Sequence, residues 1–226
     1  MTSHSHQNNQ NVRRHDLIFV STASWHSLLM TRSDLIDEPL VIDWADQGRP
    51  LVARRAMPGE TIGVALGLPL PPFAGKRRIA FVVQPEDIVS TAPPLALSAT
   101  IDVAPEPWRR TLDQVANLAW RHGVAARVFG SLAWQMLTGL NYLTASSDLD
   151  LLLLIRSGID LAQLTTDLAA IEAVAPMRLD GELVRDDGVG VNWREIHSGA
   201  REVLVKGTFH VDLVDTNRFL SNEILP

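Results

Sequence analysis

The stretch "SSDLDLLLLI", residues 146–155, constrains the fold of this chain more than any other. Six of its last seven residues are large aliphatics, a composition typical of a buried strand. Asp148 and Asp150 stand where that strand begins. Because residues i and i+2 of a strand point to the same face, we expect the two carboxylates to project side by side.

Two carboxylates held that close repel each other unless a positive charge lies between them. A hard cation such as Mg²⁺ suits the pair, since it takes oxygen ligands and binds through one or two carboxylates together with substrate phosphates. We therefore predict that Asp148 and Asp150 bind Mg²⁺. The alternative is that both are solvated acids at the start of a strand, or that Asp148 caps a turn.

Helical and strand patterns alternate around this stretch. Apolar residues recur at helical spacing in "WRRTLDQVANLAWRHG", where Gly123 supplies the position that follows the helix. Asp160 is the expected cap of a later helix. The predicted order is strand 124–129, helix 130–137, strand 148–155, helix 160–175 and strand 177–185. This alternation predicts an α/β layer in the C-terminal part of an α+β chain.

The chain upstream has a different texture. We predict a polar, disordered tail at 1–12, a small β-rich domain at 13–89, a linker or wrapping segment at 90–107 and a second domain at 108–226. The linker prediction rests on four prolines and little periodicity. Within the first domain, strands are predicted at 16–21, 40–45, 50–55 and 77–83, and a short helix at 24–30 with Ser24 as its cap.

Composition narrows the class of protein. The net charge of -6 argues against nonspecific nucleic-acid binding, which needs a basic surplus. The absence of cysteine excludes disulfides and cysteine-bound zinc. No segment reads as a signal peptide or as a membrane span. We therefore expect a cytoplasmic protein with neither a nucleic-acid nor a membrane partner.

A second motif precedes the paired acids. The predicted strand "VAARVF" ends at Gly130, and Ser131 opens the next helix. Glycine lets a backbone approach a phosphate, serine can cap the helix, and the first free N–H groups with the helix dipole favour an anion. An ordinary tight turn with an N-cap is the alternative.

The combination of the two motifs is more specific than either one alone. A strand, Gly-Ser, a short helix and a strand beginning with Asp-x-Asp resemble the nucleotidyltransferase fold of the polymerase-β superfamily. That resemblance implies that the Gly-Ser turn holds a triphosphate and that the two aspartates hold Mg²⁺. It also implies a third carboxylate on a later strand.

The longer run "RVFGSLAWQMLTGLNYLTASSDLDLLL" resembles a narrower family. The family that it resembles is the phosphoribosyl-dephospho-CoA transferase of malonate decarboxylase, also called malonate decarboxylase holo-acyl-carrier-protein synthase. Six further segments resemble the same family over residues 13–207, namely "RRHDLIFV", "GRPLVARR", "LGLPLP", "LDGELV", "VNWREI" and "VLVKG".

The family resemblance implies an activity and a partner. The expected reaction joins the 2′-(5″-triphosphoribosyl)-3′-dephospho-CoA group to a serine of the acyl-carrier subunit of malonate decarboxylase. A phosphodiester forms and pyrophosphate is released. By the same resemblance, Asp148 and Asp150 are the essential metal-binding pair, and Gly130 and Ser131 form the phosphate turn.

The third carboxylate stays open at this level. Asp180 and Glu182 share a face if their strand is regular, and one crossover helix separates them from the Asp-x-Asp strand. Asp212 in "FHVDLVD" is flanked by apolar residues and is the remaining candidate. We favour Asp180 over Glu182, and both over Asp212.

Basic side chains are expected to hold the remaining phosphates. Lys206 and Arg127 lie near strand ends of the second domain, although each could be an ordinary surface charge. The first domain carries basic clusters at 13–15, 54–55 and 76–78, which could steer an acidic carrier protein. Solvated charges at strand ends are the alternative.

Two other functions compete with this interpretation. One is a nucleotidyltransferase that uses a common nucleotide such as ATP on a small molecule or a protein. The other is a non-catalytic nucleotidyltransferase-fold module that acts in binding or resembles an antitoxin. The intact Gly-Ser and Asp-x-Asp motifs argue against a non-catalytic module.

Overall fold

Residue contacts divide the chain into two units, one ending at Pro93 and the other beginning at Pro94. The structure is a computed structural model and describes residues 12–60, 62–208 and 210–221. Each unit has its own sheet. Residues 1–11 of the predicted tail lie outside the described residues.

The first unit is built on an antiparallel sheet. Its elements are β1 Leu17–Val20, α1 Thr22–Leu29, α2 Pro39–Ile42, β2 Leu51–Ala53, β3 Val64–Pro69, β4 Arg78–Val83 and β5 Ile88–Ala92. The described strands lie side by side in the order β4-β3-β2-β1-β5. Leu66 and Leu68 of β3 are fully buried, as expected when a strand alternates between core and solvent.

Two local predictions in this unit are wrong. The segment 40–45 is not a strand: Pro39 starts the short helix α2, and Val41 and Trp44 are both fully buried three residues apart, which is helical spacing. The cap of α1 is Ser21 and not Ser24, because the Ser21 hydroxyl accepts a hydrogen bond from the Ser24 N–H at 3.0 Å.

The segment 90–107 consists largely of regular elements and is not a linker between two domains. It contains the end of β5, the strand β6 at Leu95–Ala96, a 3₁₀ helix at Leu97–Val103 and the start of the next helix. Leu97 and Ala104 are buried in the core of the second unit. The prolines end one strand and start the next region, so the second unit begins at Pro94 and not at residue 108.

The second unit alternates helices and strands. Its described strands lie in the order β12-β11-β10-β9-β8-β7-β6, and β8 and β9 are its parallel pair. The elements after β6 are α3 Glu106–His122, β7 Ala125–Phe129, α4 Gly130–Thr138, β8 Leu149–Leu154, α5 Leu161–Glu172, β9 Leu179–Val184, β10 Gly190–Asn192, α6 Trp193–His197, β11 Glu202–Lys206, β12 Val211–Asp215 and α7 Thr216–Leu220.

The two faces of this sheet have different surroundings. Leu149, Leu151 and Leu153 of β8 belong to the same buried core as apolar residues of α3 and α5. Asp150 lies between them in sequence, so its side chain points to the opposite face. The α+β prediction is confirmed, as are the Asp160 cap of α5 and Gly123 after α3.

Candidate active site

The turn between β7 and α4 forms one wall of the site. Gly130 follows Phe129, the last residue of β7, and has φ +66, a left-handed conformation that favours glycine. Phe129 is the N-cap residue of α4 and makes no side-chain capping bond. Ser131 therefore is not the cap that the sequence predicted. It lies in the first turn, where backbone N–H groups lack helical acceptors.

Asp150 lies directly against that glycine. Strands β7 and β8 are antiparallel neighbours, and Phe129 of β7 is the register partner of Asp150 of β8. A Cβ atom built on Gly130 would come within 1.8 Å of Asp150 Oδ2. The turn and Asp150, which belong to separate motifs in the sequence, are therefore in direct proximity.

Strand register brings Asp180 to the same site. Asp150 and Asp180 are register partners across the parallel pair β8 and β9. Neighbouring strands lie about 4.8 Å apart, and partners point to the same face. Asp148 is half-buried and precedes β8, two residues before Asp150. Asp180 is thus the candidate third acid that the sheet places beside the paired aspartates.

The Asp180 carboxylate is held through one of its oxygens. Oδ1 accepts hydrogen bonds from the Gly181 N–H at 3.1 Å and from Asn192 Nδ2 at 3.2 Å. Guanidinium nitrogens of Arg178 and Arg194 each lie 3.8 Å from the same oxygen. Within the described part of the chain, Oδ2 makes no hydrogen bond. That oxygen is available to a ligand.

Glu182 lies one pleat further along the same face and has a different environment. Its side chain is 7% exposed, and Oε1 lies 3.1 Å from Lys206 Nζ. Lys206 is the register partner of Gly190 on β10, and Glu182 is the register partner of Asn192 on that strand. A buried carboxylate with a lysine partner is suited to holding that lysine in place.

Two other predicted residues lie elsewhere. Asp212 is on β12, the edge strand, which β11 and β10 separate from β9. Its carboxylate is half exposed and lies 3.6 Å from His210 Nε2. Arg127 shares the face of the site, but its guanidinium donates to the Pro94 carbonyl at 2.6 Å. The structure therefore does not bring Asp212 to the paired acids. It also engages the Arg127 guanidinium in a hydrogen bond to a backbone carbonyl.

Sequence reasoning missed two residues that contact Asp180. Asn192 and Arg194 both lie in the quoted segment "VNWREI". An asparagine directly before a helical pattern is an N-cap signal, and Asn192 does cap α6. Its second bond, to Asp180, depends on strand order and has no local sequence signal.

The donor set suits a hard divalent cation. Asp148, Asp150 and Asp180 supply only carboxylate oxygens, and glycine at residue 130 leaves space against Asp150. Among the residues that the structure describes, no three His, Asp or Glu side chains form a ready-made metal cage. A cation held here would complete its coordination with ligand phosphates or water, as Mg²⁺ commonly does.

Comparisons with known proteins identify the family. Residues 13–94 match the family model for the phosphoribosyl-dephospho-CoA transferase MdcG N-terminal domain, and residues 96–217 match the model for its C-terminal domain. The chain is 50% identical to a phosphoribosyl-dephospho-CoA transferase of Bradyrhizobium diazoefficiens over 98% of both chains. A protein of the same name from Xanthomonas campestris is 40% identical, over 81% of this chain and 90% of its own.

These matches show that the chain is an enzyme of the transferase class. It belongs to the phosphoribosyl-dephospho-CoA transferase family, as its motifs predicted. No solved structure matches it, so the likeness to the polymerase-β superfamily stays a prediction. None of the helices in the described part of the chain has the length and apolar character needed to span a bilayer.

Proposed function

We propose that this enzyme transfers 2′-(5″-triphosphoribosyl)-3′-dephospho-CoA to a serine of the acyl-carrier subunit of malonate decarboxylase and releases pyrophosphate. The names of its relatives support the phosphoribosyl-dephospho-CoA part of this statement. The observation that carries the proposal is the placement of Asp150 between the Gly130 turn and Asp180 on one face of the sheet. Such a face suits a metal-bound triphosphate.

The chemistry is a substitution at the α-phosphorus. The carrier serine oxygen forms a new bond to that phosphorus as the bond to the β-phosphate oxygen breaks, and pyrophosphate leaves. The serine hydroxyl releases its proton to solvent as the new bond forms. Bound Mg²⁺ would neutralise the charge that develops on the phosphate oxygens. Asp148, Asp150 and Asp180 are the residues proposed to hold it.

The remaining triphosphate charge needs other partners. We assign one to the first backbone N–H groups of α4, where the helix dipole favours an anion. Lys206 is a second, because Glu182 fixes its ammonium group on the face that carries Asp180. Arg127 is a weaker candidate, since its guanidinium already donates to a backbone carbonyl.

Carrier docking is proposed for exposed basic groups of the first unit. Two arginines of its clusters have acidic partners: Arg54 pairs with Glu60 at 2.5 Å, and Arg77 pairs with Glu38. Their charges are thereby largely compensated. Arg55 stays exposed, as do the neighbouring residues 76 and 78.

The exposed groups do not form one patch. Register places Val64 opposite Val83 and Pro69 opposite Arg78, so the turn at 76–78 and the segment after β2 lie at opposite ends of the β3–β4 pair. Replacing Lys76 and Arg78 by glutamate reverses their charges and should weaken carrier binding and reduce its salt dependence. The variant Arg55→Glu tests the exposed charge at the other end of the β3–β4 pair in the same way. Unchanged affinity and salt dependence in both variants would show that these are only surface charges.

The deciding experiment measures transfer of the prosthetic group to purified apo carrier, with Mg²⁺ and with EDTA. Wild-type protein should label the carrier with Mg²⁺ only, and ATP should not replace the triphosphoribosyl donor. Asp148→Asn and Asp150→Asn should each lose roughly a thousandfold in rate. Their melting temperatures without metal should stay equal or rise slightly, because carboxylate repulsion is relieved. Full activity in EDTA would refute the metal-dependent mechanism.

A further inference from the structure

The side-chain amide of Asn192 makes two hydrogen bonds in opposite directions. Its Oδ1 accepts from the Arg194 N–H at 3.0 Å, which caps α6. Its Nδ2 donates to Asp180 Oδ1 at 3.2 Å. Because one end of the amide must accept and the other must donate, the cap determines which end faces Asp180.

The bond to Asn192 makes the two oxygens of Asp180 unequal. Oδ1 receives the donors from Asn192 and Gly181, whereas Oδ2 has none among the described residues. The carboxylate is 37% exposed, so solvent or a ligand reaches it. A carboxylate whose Oδ1 is held by two hydrogen bonds presents its Oδ2 in a defined direction.

The residues that follow Asn192 hold its segment to β9 by hydrogen bonds. Asn192 ends β10 as the register partner of Glu182, and the next residue, Trp193, is buried. The Trp193 Nε1 donates to the Leu179 carbonyl at 3.0 Å, beside Asp180 in sequence. Arg194 Nη1 donates to the same carbonyl at 2.9 Å. Donor and acceptor are therefore both tied to the backbone of β9.

We propose that Asn192 is a positioning residue that orients the Asp180 carboxylate toward the divalent cation. This inference rests on the proposed place of Asp180 in the metal site. Partners of metal ligands commonly change metal affinity by ten- to a hundredfold when they are removed. Asn192 would thus act on cation binding through Asp180 and without contact to the cation.

The test compares Mn²⁺ binding, measured by calorimetry on the full-length protein, with thermal stability. Asn192→Ser keeps a good helix cap but loses the donor to Asp180. It should weaken Mn²⁺ binding roughly tenfold with nearly unchanged melting temperature. Asn192→Ala loses both bonds and should weaken Mn²⁺ equally while melting a few degrees lower. Asn192→Thr also keeps a capping residue and loses the donor to Asp180, so it should behave like Asn192→Ser.

Two controls separate the possible outcomes. Asp160→Ala removes the cap of α5 and should lower the melting temperature without affecting Mn²⁺. Asp180→Asn should weaken Mn²⁺ at least as much as Asn192→Ser. If Asp180→Asn weakens Mn²⁺ and Asn192→Ser does not, the inference fails and the proposed function stands. If Asp180→Asn binds normally, both Asp180 assignments fail, and if the Ser and Thr variants unfold, Asn192 is a structural residue.

Discussion

Asp150 occupies the space that a side chain at residue 130 would need. The distance from its Oδ2 to the position of a Cβ on Gly130 is 1.8 Å, far inside any allowed contact. The left-handed φ of Gly130 alone would favour glycine there. The close approach of the carboxylate adds a second requirement, and it couples the β7–α4 turn to the β8 strand.

The first prediction follows from that contact. In Gly130→Ala, the added methyl group must displace the Asp150 carboxylate, because the nearest atoms include its Cγ and Cβ as well as its oxygen. Displacement of a catalytic group by about 1 Å can cost a hundredfold in rate. We expect at least that loss in the carrier-labelling assay.

Gly139→Ala is the matched control for this variant. Gly139 follows the same helix, has φ +68 and has no atom within 4 Å of an added Cβ. Both alanine variants carry the strain of a left-handed residue, about 1 kcal/mol. Only Gly130→Ala should lose transfer. Equal activity in the two would show that Asp150 tolerates displacement.

A second prediction concerns the third acid. Asp180→Asn should reduce transfer roughly a thousandfold, because Asp180 is the register partner of Asp150. Asp212→Asn should stay within about twofold of wild type, since its strand lies at the sheet edge. Single-turnover labelling rates check both variants. The reverse pattern would place the third acid on β12.

The Glu182–Lys206 pair yields a third prediction. Lys206→Met removes the lysine from a carboxylate that is 7% exposed, which should destabilise the protein by about 2 kcal/mol. It should also raise the KM for the triphosphate donor. In the double variant with Glu182→Gln, urea denaturation should show restored stability, whereas the KM should stay high. Recovery of both would mean that Lys206 has only a structural role.

The fourth prediction tests electrostatics in the first unit. The Glu60 carboxylate accepts two hydrogen bonds from the Arg54 guanidinium and one from the Met57 N–H. These bonds lower the pKa of Glu60 from its ordinary value of 4.5 to about 2. Because the folded pKa is the lower one, this stabilisation is present above about pH 4.5 and is lost as the pH falls toward 2.

Urea unfolding of Glu60→Gln across pH provides the measurement. At pH 7 the variant should be less stable by about 1 kcal/mol, a value typical of a partly exposed ion pair. The difference from wild type should shrink below pH 4.5 and vanish only once the pH falls below about 2. A difference independent of pH would attribute the effect to packing instead of charge.

The parts of the candidate site that lie close together along the chain have local sequence signals. The spacing of two in Asp148 and Asp150 and the glycine at residue 130 are short-range signals, and the elements around them follow the predicted order. The Asp160 cap was equally readable, because a capping residue bonds to an N–H three residues away.

Other features depended on the tertiary structure. The sequence left Asp180, Glu182 and Asp212 as alternatives, and strand order separated them: Asp180 is beside Asp150, Glu182 pairs with a lysine, and Asp212 lies at the edge. The helix at Pro39–Ile42 was missed because a short apolar run fits a strand as well as a helix. In the segment 90–107, burial of apolar residues outweighed the local proline signals.

The sequence by itself therefore determined the motifs, the family and the order of most elements. The tertiary structure alone decided which candidate acids lie side by side and that Asn192 reaches Asp180. The physical reason is that local signals act through bonds and contacts within a few residues. Strand order and register instead arise from packing between segments distant in the chain, which no local pattern specifies.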